Sequence, residues 1–475
     1  MLRAAGTKRR AARFPVMSDQ HIRTRNPATG EILDHHPLLG ADTIDHRLAL
    51  AERGQRAWAK TDLAERGALL TAIADAFSAR RDDLARMVTA EMGKTLGSAE
   101  AETDKCIAAF RHYAEAGPAM LGAQTFDLGD AGTATAEWHP LGPVLAVMPW
   151  NFPLWQVVRP LAPTILAGNA MLLKHASITM GTAELMAEVV RDAGAPEGLF
   201  QNLVIRSNAV ADIIADPRVK AVTLTGSEAA GRAVAETAGR HLKKVVLELG
   251  GSDPFVVMPS ADLDAAVAQA VKARIQNTGQ SCICGKRMIV HADIFDRFHD
   301  AFAAALRAVA WGDPLDPATD MGPLSSFEQR ETVLDQLEAI RGAGGTVEFG
   351  GEAVGERGAY MDAGLVTGLD PASEVMAEEI FGPVAMLFEA RDADEAIRIA
   401  NAIPYGLGAS VWTRDTDEEA RFIAGIEAGM VAVNQMLSSH PKAPFGGVKN
   451  SGHGRELGPF GLHEFMNLKT LFRPR

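Results

Sequence analysis

Residues 141–153 read LGPVLAVMPWNFP, and this stretch decides the fold of the chain. The apolar run after Pro143 predicts a buried strand, and PWNFP predicts a rigid turn where that strand ends. A helical pattern follows up to Gly168, and the apolar run AMLLKHA at 170–176 predicts a second strand. The order strand, turn, helix, strand is the pattern of a parallel crossover unit.

The same pattern recurs further along the chain. Short apolar runs appear at QNLVI (201–205), VKAVTLTG (219–226) and KKVVLELGG (243–251), with a helical pattern between the last two. Residues 141–248 therefore predict an α/β fold with a doubly wound parallel sheet. Beyond Gly250 the alternation resumes at PFVVM, which predicts a second α/β unit that continues to about residue 435.

Two further segments precede the first sheet. From Thr61 to Ala116 apolar residues recur at helical spacing, and Asp62 with Glu65 forms a capping box at the start of this region. Residues 123–140 alternate weakly and are rich in Thr, Gly and Ala, which predicts a hairpin outside the core. Because an isolated hairpin is only marginally stable, we expect a partner to cover it.

Composition excludes several classes of protein. The 475 residues carry a formal net charge of −13, which opposes binding to nucleic acid or to an anionic membrane. The chain has only three cysteines, which argues for a reducing compartment and free thiols. No apolar run is long enough to cross a bilayer. We expect a soluble protein of two or three domains.

The N-terminus leaves the cellular location open. Residues 1–16 are basic and contain no acid, which fits an organellar transit peptide and hence the mitochondrial matrix. A bacterial chain that starts at Met17 would carry the same unstructured tail, and such a protein would be cytoplasmic. In both cases we expect residues 1–16 to be disordered.

Two of the thiols lie one residue apart in NTGQSCICGKR at 277–287. A nearby cation favours the reactive thiolate, and Lys286 and Arg287 follow Cys282 and Cys284 closely. Inert burial is the commoner fate of a free cysteine, so this segment alone favours an inert pair.

Polar residues also stand where predicted strands end. Gly226 and Ser227 open a helix whose free N–H groups can accept a phosphate. Asn151, held between prolines, can donate a hydrogen bond to a developing oxyanion. Glu248 lies in an apolar strand end, where burial would raise its pKa and make it a general base. Each has a plain alternative: a turn glycine, a polar turn residue, or a glutamate that reaches solvent.

Taken together, six segments resemble the aldehyde dehydrogenase family in their order and spacing from about residue 25 to 465. They are PWNFP, LTGS, LELGG, GQSC, EEIFGP and PFGG. Within the family, LWQVVRP, LLKHA, LELGGSDPF, NTGQ and GVKNSGHGRELGPFGLHEF look most similar to succinate-semialdehyde dehydrogenases of the shorter bacterial type.

The resemblance implies a domain organisation. It predicts a dinucleotide-binding domain (17–122 and 141–248), a catalytic domain (249–454) and a bridging oligomerisation arm built from a β-hairpin and the tail (123–140 and 455–475). Family members join through this arm, so the resemblance implies a homodimer or a homotetramer.

The resemblance also assigns roles. Cys282 matches the nucleophile, Glu248 the general base, and Asn151 with the Cys282 N–H the oxyanion site. The positions that match cofactor contacts are Trp150, Lys174, Gly226, Ser227, Glu379 and Phe381. Ser177 stands where relatives that prefer NAD often carry a glutamate, so we expect NADP to be accepted and NAD to be used as well. No metal is expected.

The implied substrate is a small aldehyde with a carboxylate at its far end. Arg159, about two helical turns after Asn151, and Ser439 match the residues that hold this carboxylate. Gln276 stands where many of these enzymes have a second arginine. The carboxylate would therefore have one charged partner here, unless Arg274 or Lys442 turns inward. A salt bridge on the helix surface is the alternative for Arg159.

The expected reaction is NAD(P)-dependent oxidation of succinate semialdehyde to succinate through a thiohemiacetal and a thioester on Cys282. Glutarate semialdehyde is the alternative substrate. Two other classes stay open: a noncatalytic binding protein on this fold, and a thiol hydrolase that needs no cofactor.

Overall fold

The computed structural model describes residues 20–475, so the predictions for residues 1–16 lie outside the described residues. The helices of the described part are α1 Ala41–Trp58, α2 Leu63–Ala79, α3 Arg81–Met92, α4 Leu96–Met120, α5 Trp155–Leu166, α6 Met180–Asp192, α7 Val210–Ala215, α8 Glu228–Arg240, α9 Leu263–Ile275, α10 Phe295–Arg307, α11 Phe327–Gly342, α12 Ala393–Asn401, α13 Thr416–Gly425 and α14 Gly458–Glu464.

The strands of the same part are β1 His21–Arg25, β2 Ile32–Pro37, β3 Gln124–Asp127, β4 Thr133–Pro140, β5 Pro143–Met148, β6 Ala170–His175, β7 Phe200–Asn202, β8 Ala221–Thr225, β9 Lys244–Glu248, β10 Asp253–Val257, β11 Gly285–His291, β12 Thr346–Phe349, β13 Gly364–Thr367, β14 Val384–Ala390, β15 Tyr405–Gly406, β16 Gly408–Trp412, β17 Met430–Val433, β18 Val448–Lys449, β19 Gly452–His453 and β20 Met466–Arg473.

The predicted crossover unit is present. β5 and β6 are parallel neighbours in register, with Pro143 opposite Ala170, and α5 connects them. They belong to a six-stranded sheet of order β19-β9-β8-β5-β6-β7, in which only β19 runs antiparallel to its neighbour. Every residue of α5 is buried, because the helix packs between this sheet and the helices α2 and α4. The N-cap half of the predicted capping box is found, since the Asp62 carboxylate accepts a hydrogen bond from the Glu65 N–H at 2.8 Å.

The second α/β unit is a seven-stranded sheet of order β12-β13-β14-β11-β10-β16-β17, parallel except for the edge strand β12. The chain passes into it from β9 through residues 249–252. The segment with the two thiols joins α9 to β11 and therefore enters this sheet. In open α/β sheets ligands bind at the carboxyl ends of the strands. A ligand site is therefore expected at the carboxyl ends of β5, β8 and β9.

The predicted hairpin is present as β3 and β4, and the tail supplies its third strand. β20 pairs with β4 over eight residues, from Met466 opposite Pro140 to Arg473 opposite Thr133. Several apolar side chains of this small sheet are exposed, with Phe472 at 74% and Leu468 at 51%. The fold class predicted from the sequence is therefore confirmed, while the numbered domain boundaries stay a prediction.

The tail is tied to the first sheet by polar contacts. The Asn169 side chain donates to the Phe465 carbonyl at 2.7 Å and accepts from the N–H groups of Leu141 and Gly142, each at 2.8 Å. Tyr113 donates to the Gly458 carbonyl at 3.2 Å. Among residues 20–475, no helix is long and apolar enough to cross a membrane. The same residues contain no group of His, Cys, Asp and Glu that could hold a metal ion.

Candidate active site

A cavity of about 480 Å³ lies at the carboxyl ends of the strands of the first sheet. The residues that line it come from both α/β units. The predicted site residues among them are Trp150, Asn151, Gly226, Ser227, Glu248, Cys282, Glu379 and Phe381. Trp150 and Phe381 meet edge to face, with ring centroids 5.6 Å apart, and form an apolar wall. The cavity thus combines apolar walls with a few polar groups, as ligand sites usually do.

The loop that carries Cys282 is held in an unusual backbone shape. Asn277 and Thr278 have φ values of 53° and 55°, which is strained for a β-branched threonine. Gly279 follows with φ 74°, and a Cβ there would lie 2.2 Å from the Gly382 carbonyl oxygen. The sequence NTG therefore makes a tight turn that other residues could not easily replace. The turn sets the direction in which the Cys282 loop leaves α9.

Side-chain amides fasten this turn to the end of β5. The Asn277 amide donates to the Asn151 carbonyl at 2.7 Å and to the Gln280 carbonyl at 3.0 Å. The Asn151 amide donates to the same Gln280 carbonyl at 3.1 Å. Asn151 is buried and uses one of its two N–H groups in this contact, so the other is available to a ligand.

Burial dominates the electrostatics of Cys282. It raises the pKa of the thiol to about 12, although the positive charges of Arg159 and Lys286 lower it. The thiol is therefore protonated at neutral pH in this structure, and a base must take its proton before it can act as a nucleophile.

Glu248 is a candidate for a general base in this cavity. Its side chain is 2% exposed, and neither carboxyl oxygen has a hydrogen-bond partner among residues 20–475. Burial and the negative charge of Glu456 hold its pKa well above the ordinary range, against the lowering effects of Arg159 and Arg455. A carboxyl group with a raised pKa binds a proton more readily, which suits a general base.

The backbone approaches Glu248 closely at one glycine. A Cβ on Gly446, in the PFGG segment, would lie 2.6 Å from Glu248 Oε1. Gly446 also has φ 153°, which side chains rarely adopt. This glycine leaves room for the carboxylate and keeps water away from one of its sides.

Comparison with known proteins agrees with this geometry. The model of the aldehyde dehydrogenase family matches residues 16–471. The chain belongs to the aldehyde dehydrogenase family. It is an oxidoreductase of the α/β architecture that the sequence predicted.

Relatives from the curated proteins are similar over almost the whole chain. Succinate-semialdehyde dehydrogenase [NADP(+)] 1 of Mycobacterium tuberculosis (strain H37Rv) is 49% identical over 453 residues, 95% of this chain and 99% of the relative. Succinate-semialdehyde dehydrogenase [NADP(+)] of Mycobacterium avium is 49% identical over 454 residues, 95% of this chain and 96% of the relative. Among solved structures, succinic semialdehyde dehydrogenase from Streptococcus pyogenes in complex with NADP+ has a TM-score of 0.93 and 37% identity, covering 96% of this chain and 100% of that one.

The two cations that follow the thiols have other partners than the sequence suggested. Lys286 donates to the carbonyls of Ser281 at 2.9 Å and Cys282 at 2.8 Å, and it pairs with Glu379 at 2.9 Å. Arg287 points away from the thiols and donates to the carbonyls of Ser252, Ile399 and Ala400. The expectation that these cations favour the thiolate is therefore wrong for Arg287. Lys286 does lower the pKa of Cys282, but the effect of burial is larger. Lys286 instead holds the carbonyls of the Cys282 loop, and Arg287 holds Ser252 and the C-terminal end of α12.

Arg159 also has a partner that the sequence analysis missed. Its Nε lies 2.6 Å from Glu456 Oε2, its Nη2 donates to Thr225 at 3.2 Å, and its guanidinium stacks over the Phe445 ring at 4.7 Å. The side chains of Arg159 and Glu456 are 2% and 3% exposed. This ion pair is buried rather than on the helix surface, and it balances the charge that was expected to meet the substrate. A role for Arg159 in holding the substrate stays a prediction.

The remaining predicted residues lie apart from the cavity. Lys174 is buried at the end of β6, and burial lowers its pKa. Ser177 is exposed at the start of the next turn. Ser439 accepts hydrogen bonds from Lys105 and Trp155. Lys442 is exposed, and Arg274 is buried with its Nη2 on the Gly279 carbonyl at 2.8 Å, so a role for either in place of the arginine missing at Gln276 stays a prediction.

Removal of Arg159 tests the buried ion pair. Arg159→Met leaves the Glu456 carboxylate buried without its cation, so we expect a loss of about 3–5 kcal/mol in the free energy of unfolding. The Tm should fall at fixed protein concentration, and Arg159→Met with Glu456→Leu should recover most of the loss.

Arg111→Met is the matched control, because the Arg111 pair with Asp75 is exposed and its nitrogen and oxygen lie 3.4 Å apart. Exposed pairs contribute little, so its Tm should stay close to that of the parent. An unchanged Tm in Arg159→Met would contradict the structural role assigned to the pair.

Proposed function

We propose that this aldehyde dehydrogenase oxidises succinate semialdehyde to succinate with NADP and also accepts NAD. The main support is that Cys282, Glu248 and Asn151 line one cavity. The chain is also 49% identical to enzymes named for this substrate and cofactor. Glutarate semialdehyde, one methylene longer, is the alternative substrate. Because all three chemical groups are present together, we rank a noncatalytic protein and a cofactor-independent hydrolase below this function.

The side chains divide the reaction into two parts. In the first, Cys282 gives up its proton to a base, and its sulfur adds to the aldehyde carbon to form a thiohemiacetal. The oxyanion accepts hydrogen bonds from the free N–H of the Asn151 amide and from the Cys282 backbone N–H. A nicotinamide bound in the cavity would accept a hydride from the carbon of this adduct, which would leave a thioester on Cys282.

In the second part, Glu248 takes a proton from water as the water attacks the thioester carbon. The carbon–sulfur bond then breaks, the carboxylic acid leaves as its carboxylate, and Cys282 regains a proton. The unpartnered carboxyl oxygens of Glu248 fit this task, because a base that is already hydrogen-bonded would have to break that bond first. The acid is also shielded from bulk water, which keeps its pKa high.

Residues that line the cavity, together with Lys174 outside its lining, fit a dinucleotide. Ser227 caps the N-terminus of α8 at the wall of the cavity, where the free N–H groups and the helix dipole suit a phosphate. The buried Lys174 forms no hydrogen bond or ion pair within residues 20–475, so it is available to ribose hydroxyls. Glu379 and Phe381 would hold the second ribose and the nicotinamide end.

Assembly and location complete the proposal. The exposed apolar residues of the sheet formed by β3, β4 and β20 support a homodimer or homotetramer joined through this arm. The curated relatives from bacteria support the cytoplasm as the location. A mitochondrial location would depend on residues 1–16, which lie outside the described part.

A steady-state assay tests the function. We expect kcat/KM for succinate semialdehyde to exceed that for butanal, an uncharged aldehyde of the same chain length, by at least about tenfold. Both should be measured with NADP and with NAD by the absorbance of the reduced nicotinamide. Equal kcat/KM values for the two aldehydes would overturn the substrate, and no reduced nicotinamide with any aldehyde would overturn the function.

Glu248→Gln tests the division of labour. Loss of the base should slow hydrolysis by about a hundredfold or more, so that a burst of reduced cofactor precedes a slow steady rate. In the parent, the steady rate should rise with pH through a range above the ordinary carboxyl pKa, because the raised pKa keeps Glu248 protonated at lower pH.

Glu236→Gln, on the exposed face of α8 with its partner Arg240, is the control and should leave both phases unchanged. If burst and steady rate fall equally in Glu248→Gln, the residue is not the base for hydrolysis.

Cofactor choice is tested at Ser177. An acidic side chain there would repel the 2′-phosphate of NADP, so Ser177→Glu should lower kcat/KM for NADP more than for NAD. Ser177→Gln is the neutral control of similar size. The same NADP-to-NAD ratio in parent, Glu and Gln variants would show that position 177 does not contact the 2′-phosphate.

A further inference from the structure

Helix α4 places a lysine, Lys105, against the first residue of α5, and this lysine does not line the cavity described above. Lys105 Nζ donates to Ser439 Oγ at 2.7 Å. The Trp155 indole N–H donates to the same oxygen at 3.0 Å, and Lys105 lies over the Trp155 ring at 4.5 Å from its centroid. Trp155 is the first residue of α5, four residues after Asn151. These three side chains thus form a polar cluster next to the predicted oxyanion site.

The positive charge of Lys105 is not balanced. Within residues 20–475 it forms no ion pair with a carboxylate. The acid one helical turn away, Glu102, pairs with Lys94 at 2.5 Å and accepts the N–H groups of Leu154 and Trp155. Arg159 and Lys286, whose charges act on Cys282, are paired with Glu456 and Glu379. Lys105 is therefore the cation of this region that still has capacity for an anion.

The hydrogen-bond inventory of the cluster leaves donors free. Both lone pairs of the Ser439 hydroxyl are directed at Lys105 and Trp155, so its own proton can point only to another acceptor. An ammonium group has three N–H donors, and Lys105 uses one of them in its contact with Ser439. The free donors of both residues suit a carboxylate, because charge-assisted hydrogen bonds are about twice as strong as neutral ones.

The charge of Lys105 is also poised to titrate. Burial and the positive charge of Arg159 lower its pKa to about 8, while the negative charge of Glu102 acts in the opposite direction. Because the lowered pKa belongs to a cation, the charged form is present below about pH 8 and is lost as the pH rises above it.

We propose that Lys105, together with the Ser439 hydroxyl, binds the far carboxylate of the semialdehyde and determines the preference for carboxylated substrates. This inference rests on the proposed function and names the charged partner at the same site. It assigns the role to a helix that precedes both sheets, where no sequence motif indicated it. Arg159 stays paired with Glu456, and its positive charge lowers the pKa of Lys105.

Three variants of the full-length enzyme test the inference. Lys105→Met removes the charge but keeps an unbranched side chain, so kcat/KM for succinate semialdehyde should fall by about tenfold to a hundredfold, mainly through KM. For butanal it should change less than about twofold, since no carboxylate is lost from the complex. Lys105→Arg keeps the charge and should retain the preference.

Arg111→Met is the matched control, because Arg111 is a cation on the exposed side of the same helix. It should leave both kcat/KM values unchanged. The titrated thiol count and the burst of reduced nicotinamide with butanal give the fraction of active enzyme in each variant.

A pH profile gives a second readout that a structural role would not produce. The ratio of kcat/KM for succinate semialdehyde to that for butanal should fall as the pH rises above about 8 in the parent. Titration of Cys282 and Glu248 cancels in this ratio, because both residues act on both aldehydes. In Lys105→Arg the ratio should stay flat over this range, since the guanidinium keeps its proton.

The outcomes separate the two proposals. If the parent shows no preference for succinate semialdehyde at any pH, the proposed function fails. If the parent shows the preference and Lys105→Met keeps it, or loses both activities alike, the function stands and the inference is overturned. The latter result would mean that Lys105 acts on the thiol or on folding. If Lys105→Met does not fold, a pH-independent ratio in the parent overturns the inference on its own.

Discussion

The active site depends on a small set of hydrogen bonds between the end of β5 and the turn after α9. Asn277 and Asn151 share the Gln280 carbonyl as acceptor, and the Gln280 side chain in turn accepts the Ser325 N–H at 2.9 Å. These bonds connect the two sheets at the place where the thiol must meet the oxyanion donor. A displacement of about 1 Å between two reacting groups is costly in rate, so this connection sets the geometry of every later step.

Buried ion pairs supply the second layer of order. Glu102 pairs with Lys94 and accepts two N–H groups at the start of α5, which fixes the helix that follows Asn151. Lys286 links the Cys282 loop to Glu379. An ion pair removed from water contributes little net stability, but loss of one partner is severe. These pairs therefore act mainly by excluding other arrangements of the same loops.

The sequence predicted the elements that depend on local pattern. The crossover unit, the hairpin and the groups at the strand ends all follow from periodicity and turn chemistry. What failed were inferences from adjacency. Arg287 follows Cys284 closely in the sequence, yet strand alternation and its three carbonyl partners turn it away from the thiols.

Two other contacts could not be predicted from the sequence, because the two partners of each contact are far apart along the chain. Glu456 is nearly 300 positions from Arg159, and Lys105 meets Ser439 only after both sheets have formed. The GRELG segment belongs to the family resemblance, and its acid, Glu456, is the one sequence signal that could have indicated a partner for Arg159. No pattern in α4 distinguishes Lys105 from an ordinary surface lysine.

The three-stranded arm has a consequence for how the protein is made. β4 leaves the ribosome before the first sheet, while β20, its partner over eight residues, follows only after the entire second sheet. Domains fold as they emerge, so the nascent chain must carry β4 with one long edge unpaired throughout this interval. Translation speed and chaperone access during that period therefore bear on the yield of assembled enzyme more than they would for a hairpin closed locally.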